Sequence, residues 1–286
     1  MRQCSLFSVV NAILLGVLAI IMIFPFYYVV VLSFSNLNDY LDSALLYPKS
    51  ISFDAYTFVF SKPLIRIGIS NTLIITIIGV AYNLFLTIPM SYALSKRFPG
   101  RDFVMNLVVV TMFFGGGLIP FYLIVSNVLH LQNSLAAVLL PYGVNSFYMI
   151  IMKNYFATLP KELEESARID GAGEFTILRS IILPISLPIL ATFGLFYAVD
   201  RWNEWFNAML FMRDERLYTL QLVLRDIIVT MTNMQTQQLG DLAHRQVFNG
   251  AVKAATIVIA TVPIMIVYPF LQKYFAQGML IGAIKS

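Results

Sequence analysis

Apolar residues along the chain gather in long runs separated by short polar stretches. A helix needs about 20 consecutive apolar residues to cross the hydrocarbon core of a bilayer. Six runs predict such helices, at about 6–34, 71–94, 103–128, 135–152, 184–206 and 251–275. Six spans put both termini on one side. The first run exceeds the roughly 7–15-residue apolar core of a secretory signal and continues through Phe24, Pro25, Phe26 and Tyr28, so an uncleaved first helix is expected. Gly115, Gly116, Gly117 and Pro120 interrupt the third run, and Pro141 with Gly143 the fourth. Both residue types are commoner in membrane helices than in soluble ones, and kinks are expected there.

Composition agrees with the pattern. Of the 286 residues, 59% are hydrophobic and 12% charged, and the mean hydropathy is +0.78. A soluble globular chain carries about 25% charged residues. The balance excludes an ordinary soluble enzyme, a disordered regulator and a nucleic-acid-binding domain. The net charge of +4 is instead surplus Lys and Arg in short loops on the cytoplasmic side. Lys96, Arg97 and Arg101 follow the second run, and Lys153, Lys161, Arg168 and Arg179 lie between the fourth and fifth. Arg2, Lys273 and Lys285 place both termini on that same side. The single cysteine, Cys4, supports no disulfide framework. His130 and His244 lack ligand spacing, so no metal site is expected.

The first four runs contain no Asp, Glu, Lys, Arg or His. Ion-coupled transporters keep such groups inside the bilayer, so any uphill transport draws its energy from elsewhere. Asp200, Arg201 and Glu204 near the end of the fifth run, and Lys253 at the start of the sixth, are read as interfacial. Uncharged polar groups are plentiful. Asn83, Tyr142, Asn145 and Tyr148, joined by Trp202, Asn203 and Glu204, are candidates for a translocation path lined with amides, hydroxyls and aromatic faces. For any one of them, hydrogen bonding between helices is the simpler role.

Residues 155–184 differ from the rest. Pro160 suits the first position of a helix, and Glu162, Glu164 and Glu165 complement its dipole. Gly171 is placed to stop that helix in the left-handed conformation. Glu174 then opens a second short helix that ends at Pro184. This predicts an amphipathic helix–turn–helix at the cytoplasmic face, suited to docking a soluble partner. Glu165, Ser166 and Ala167, then Asp170, Gly171 and Ala172, then, nine intervening residues after Gly171, Ile181, Leu183 and Pro184 resemble the EAA loop. That loop marks the permease subunits of ATP-binding-cassette importers in bacteria and archaea, with Ser166 here in place of the usual alanine. Asn71-Thr72-Leu73, Tyr92-Ala93-Leu94, Phe98-Pro99-Gly100-Arg101, Trp202-Asn203-Glu204, Tyr218-Thr219-Leu220 and the C-terminal run are similar to the carbohydrate branch of these permeases, in particular to the six-helix permease of maltose transporters.

The resemblance implies an all-α integral membrane protein, residues 1–286 forming one permease domain of the type I importer fold. It implies a multi-pass subunit of a bacterial or archaeal cell membrane, working with a second, homologous permease and two ATPase subunits that hold ATP and Mg. An extracytoplasmic binding protein delivers a carbohydrate, an oligosaccharide by this reading, and the chain itself is neither an enzyme nor a cofactor carrier. Glu165, Ala167, Asp170, Gly171, Ala172, Ile181, Leu183 and Pro184 are then ATPase-coupling residues. Gly278, Gly282 and Lys285 lie on a tail that enters the ATPase interface. Residues 207–250 form an extracytoplasmic loop whose amides, Asn233, Gln235, Gln237 and Gln238, reach the binding protein's sugar. Two rivals remain at this point. A membrane-embedded transferase would cluster Asp, Glu or His at a membrane face, whereas the acidic cluster here lies inside the docking motif. A permease of the same superfamily for a non-sugar solute, such as phosphate or an amino acid, is disfavoured by the carbohydrate-like tail and Trp202-Asn203-Glu204.

Overall fold

A computed structural model of the chain describes residues 6–35, 47, 50–237, 249–267 and 269, and those residues contain no strand. In chain order the helices are α1 (Leu6–Ser33), α2 (Asp54–Phe60), α3 (Pro63–Ser95), α4 (Arg101–Phe113) and α5 (Leu118–Val128). They continue with α6 (Ala136–Tyr142), α7 (Ser146–Thr158), α8 (Glu162–Ile169) and α9 (Glu174–Ile185). The last four are α10 (Leu187–Trp202), α11 (Phe206–Phe211), α12 (Leu220–Gln237) and α13 (Asn249–Val267). Helices α1, α3 and α13 are each long and apolar enough to cross a bilayer. Three bent pairs pass the same test of length and composition when each is taken together: α4–α5 at 110°, α6–α7 at 45° and α9–α10 at 86°. The predicted runs thus become three continuous and three broken helices.

Each break has a local cause. Phe114 turns extended after α4 and the three glycines follow it. At the second, Asn145 takes an extended conformation and its side chain accepts hydrogen bonds from the N–H groups of Phe147 and Tyr148. It caps α7, as an N-terminal Asn does. The third break, at Ser186, is not evident in the apolar pattern. Pro188 has no N–H to give to the carbonyl of Pro184, and its ring crowds that carbonyl. Ser186 N–H bonds back to Ile182 and Leu183, and the chain turns. Pro184 itself does not end α9. A wide turn over Leu178–Ile182, closed by Leu183 N–H on Leu178 O, precedes it, the single-turn bulge found inside many α-helices.

Residues form two compact units, one from Met1–Arg66 and Val223–Pro263, the other from Ile67–Leu222 and Ile264–Ser286. In the first, Ser33 Oγ and Tyr56 Oη share a hydrogen bond of 2.7 Å. Phe34 packs on Phe53 and Tyr56 with ring centroids 5.4 and 5.0 Å apart. Along its most apolar stretch α1 has no buried residue, as befits a helix meeting lipid or another chain. The second unit holds the larger core. Tyr92, Met152, Phe156, Ile177, Ile182 and Phe193 come from α3, α7, α9 and α10, so the short helices α8 and α9 rest on the same side chains that join the spans.

Candidate functional site

The turn between α8 and α9 is built by backbone geometry. Ala172 N–H donates to Ala167 O at 2.9 Å and Gly171 N–H to Arg168 O at 3.0 Å, the paired bonds of a Schellman stop. Gly171 has φ +83°, which costs an L-residue with a side chain about 1–2 kcal/mol. Nothing lies within 4 Å of where a Cβ would project, so the demand is conformational and not a matter of space. Ala167, Ala172, Ile181 and Leu183 pack on the core around Phe156 and Ile177. Glu165, Asp170, Gly171 and Pro184 face outward. The motif residues therefore divide into an anchored face and a presented face.

Beside this turn, five residues close a ring. Glu164, 6% exposed, pairs with Lys96 at the end of α3 and lies 3.6 Å from the Arg168 guanidinium. Arg168 donates from Nε and Nη2 to Glu174 Oε1 at 3.1 and 2.7 Å. Tyr92 Oη donates to Glu174 Oε2 at 3.1 Å, and the Lys96 ammonium stands 4.4 Å from the Tyr92 ring centroid. Partial burial pushes the Glu174 carboxyl up, but the hydrogen bonds from Arg168 and Tyr92 outweigh it and hold the group below its ordinary range. Two cations face two carboxylates, so the ring carries no net charge.

A second polar cluster surrounds Arg201 near the C-terminal end of α10. Only 4% of Arg201 is exposed. Its Nε donates to Asn83 Oδ1 at 3.0 Å and its Nη1 to Val138 O at 2.8 Å. Nη2 reaches Tyr142 O at 2.7 Å and Leu139 O at 3.4 Å. Asn83 Nδ2 adds bonds to the carbonyls of Tyr142 and Gly143 at 2.6 and 2.8 Å. The carbonyls freed where α6 breaks are thus satisfied by one guanidinium and one amide. Gly79 provides the clearance, since a Cβ there would meet Arg201 Cγ, Cδ and Nε at 3.0 Å. Beside Arg201 a cavity of about 240 Å³ is lined by Tyr142, Val144, Asn145, Tyr197, Asp200, Arg201 and Glu204. Whole-ligand pockets span roughly 300–1,000 Å³, so this one suits part of a larger ligand.

Among the predicted path residues, Tyr142, Asn145 and Glu204 line that cavity. Tyr148 Oη donates to Asp200 Oδ2 at 3.2 Å, one bond away. Asn83 is fully buried behind Arg201. Trp202 and Asn203 do not line the cavity, and Asn203 Nδ2 bonds back to Val199 O. Arg201 corrects an expectation: it is a buried hub and not an interfacial charge, because broken α6 offers it carbonyls. A cation at the end of an apolar run was the available signal. Glu164 and Lys96 were read only as a helix-dipole charge and a loop charge, and Tyr197 was not singled out, although Glu164 and Arg168 stand at the i,i+4 spacing that pairs side chains on a helix.

In the segment 207–250, the amide-rich stretch is helical through Gln237. Thr219 Oγ1 accepts Leu222 N–H and starts the helix, and Leu220, Leu222, Val223 and Leu224 are buried. Asn233 is an exposed residue of α12, and Gln235 and Gln237 lie in its last turns. Gln238 and the tail residues Gly278, Gly282 and Lys285 lie outside the described residues.

Apolar spans, half of them broken, with an acidic helix–turn–helix fastened beside them, define an α-helical membrane permease. The chain belongs to the binding-protein-dependent transport system inner membrane components, whose family profile matches residues 76–281. It is 44% identical to Protein LplC of Bacillus subtilis (strain 168), over 98% of this chain and 95% of that protein. It is 40% identical to the polygalacturonan/rhamnogalacturonan transport system permease protein YtcP of the same organism, over 94% of each. A chain from the crystal structure of a bacterial ABC transporter involved in the import of the acidic polysaccharide alginate matches with a TM-score of 0.84 and 34% identity. That match covers 96% of this chain and 98% of the other. The six-helix permease fold expected from the apolar runs is the fold of the family, and the chain is a transport subunit and not an enzyme.

Proposed function

We propose that this chain is one of two permease subunits in an ATP-driven importer of oligosaccharides that carry uronic acids. One observation carries the reading: the likeness, over nearly the whole chain, to a component of an alginate importer, with the likeness to YtcP of a polygalacturonan/rhamnogalacturonan transport system supporting it. Two ATPase subunits hold ATP and Mg, and the α8–α9 turn and both termini face them in the cytoplasm, as the Lys and Arg distribution favours. Glu165, Asp170, Gly171 and Pro184, presented outward, meet an ATPase, while Ala167, Ala172, Ile181 and Leu183 seat the turn on the spans. The tail with Gly278, Gly282 and Lys285 reaches between the ATPases, and α12 with Asn233 faces the binding protein. Closure of the ATPases drives the permease pair between outward and inward openings.

The cavity beside Arg201 is this chain's share of the path. Carboxylates accept hydrogen bonds and donate none, so Asp200 and Glu204 read sugar hydroxyls. They repel a uronate, and the Arg201 guanidinium is already spent on carbonyls. The cations that face uronate groups therefore come from the second permease or the binding protein. Proteoliposomes holding the purified complex and its binding protein test the reading. ATP-dependent uptake of oligogalacturonate or oligoalginate, with none of maltotetraose, is expected. Uptake of the neutral sugar alone overturns the uronate assignment, and the absence of ATP-dependent uptake of all three overturns the importer.

A further inference from the structure

We infer that the ring of Lys96, Tyr92, Glu164, Arg168 and Glu174 is the latch through which the coupling turn moves α3, with Glu164 and Lys96 as positioning residues for transport. This rests on the coupling role proposed above. The ring joins three separate pieces of chain: the end of α3, the helix α8, and the first residue of α9. The core contacts of Ala167 and Ala172 are apolar and carry no hydrogen-bond direction. The ring's contacts are directional, and Glu164 sits buried at its centre. A carboxylate taken out of water beside one lysine and one arginine stays there only while both are in place.

Helix α3 continues the connection. Asn83, Thr87 and Ser91 recur every fourth residue and are all buried, a single polar stripe on an apolar helix. Ser91 Oγ donates to Met149 O in α7 at 3.0 Å. Thr87 Oγ1 and Tyr197 Oη in α10 share a bond of 2.7 Å. Asn83 holds the break between α6 and α7 and receives Arg201. From Lys96 to Asn83 the helix rises about 20 Å at 1.5 Å per residue. A shift of the turn latched to one end of α3 is thus delivered, through this stripe, to helices that line the cavity beside Arg201.

The test uses the reconstituted complex of permeases, ATPases and binding protein. In Lys96→Met and in Glu164→Gln, ATPase subunits are expected to co-purify at the wild-type ratio and hydrolysis to stay within about twofold. Sugar moved per ATP is expected to fall about tenfold, inside the range that one coupling free energy spans. Lys96→Arg keeps the charge and the contact with the Tyr92 face and restores most of that ratio. The double variant is no worse than the worse single, because one contact is lost only once. The inference is overturned if hydrolysis and uptake fall together, if uptake per ATP is unchanged, or if Lys96→Arg is as poor as Lys96→Met. Should the charge-removing variants fail to accumulate in membranes, Tyr92→Phe decides, as it removes one hydroxyl and leaves the ring face. A lowered uptake per ATP in Tyr92→Phe supports the latch and an unchanged one overturns it. A wild-type complex that assembles with no ATPase defeats the coupling role itself and not the latch alone.

Discussion

Two polar clusters grip the same helix α3 and are built on opposite rules. Near Lys96, side chains of both signs pair with one another, and three of the five are partly open to water. Near Asn83, one guanidinium is enclosed by neutral oxygens, three of them backbone carbonyls, and no carboxylate pairs with it among the described residues. The Arg168–Glu174 side of the ring, open to water, is cheap to loosen and reform, since exposed ion pairs are worth about 0–1 kcal/mol, while buried Glu164 keeps the other side in place. A cage of oxygens holds the buried cation by several bonds at once, so it stays closed. The first arrangement suits a place where motion is received. The second suits a joint that keeps two broken helices, α6 and α10, in register on α3.

The sharpest way to break the contrast is at the cage. Arg201→Met takes the Arg201 donor from Val138 O, Leu139 O and the Asn83 amide oxygen, while Tyr142 O keeps its bond from Asn83, and each buried acceptor left unpaired costs about 1–3 kcal/mol. Loss of a monodisperse, detergent-stable protein is expected, read by size exclusion and a thermal melt. Arg201→Lys supplies fewer donors without the planar fork, and an intermediate melt is expected. A wild-type melt for Arg201→Met means that the cage is not the joint.

At the other end the turn is predicted to tolerate more. Gly171→Val must hold φ +83° and is expected to insert normally, yet to lose about tenfold or more in ATPase co-purification, consistent with a strained turn costing about 1–3 kcal/mol. Gly171→Asn, which enters the left-handed region more readily, retains most of the association. Normal co-purification of the valine variant removes the turn from the coupling machinery. A smaller effect is expected inside the cavity. Asp200→Asn with Glu204→Gln exchanges pure acceptors for groups that also donate, and the apparent KM for the sugar shifts by a factor of about two to ten, roughly one hydrogen bond's worth. Assembly and basal hydrolysis stay as they were. An unshifted KM argues that the path runs elsewhere.

What the chain showed before its structure was uneven for physical reasons. Apolar runs report burial in lipid, so the spans were legible, as were two breaks where Gly115–Gly117 and Pro141 stand inside them. The break at Ser186 was hidden because Pro184 and Pro188 fall at the edge of a run, where proline needs no explanation. The Schellman stop at Gly171 was legible because a local motif needs only local residues. The ring and the cage were not, because Lys96 and Glu164, or Asn83 and Arg201, are separated by scores of residues and meet only through packing. Arg201 stood out as a charge in an apolar stretch, but its partners are backbone carbonyls, which no residue type announces.

The smallest predicted effect lies on α12, and it extends the comparison to an uncharged segment. Residues 230–237 are amide-rich and uncharged, yet helical, so they form a stiff arm and not a slack loop. Replacing Asn233, Gln235 and Gln237 together with alanine keeps that arm, since alanine is the best helix former, and removes only its hydrogen-bonding ends. If those amides compete for the bonds that hold a sugar in the binding protein, stimulation of ATP hydrolysis by the loaded binding protein should drop by a factor of about two to five. That is what about one net hydrogen bond in contact with water is worth. Basal hydrolysis and assembly should not change, because the latch and the cage are intact. Unchanged stimulation would make α12 a connector whose composition is incidental. A fall in basal hydrolysis would mean instead that the arm supports the fold, and the functional contrast between it and the ring would disappear.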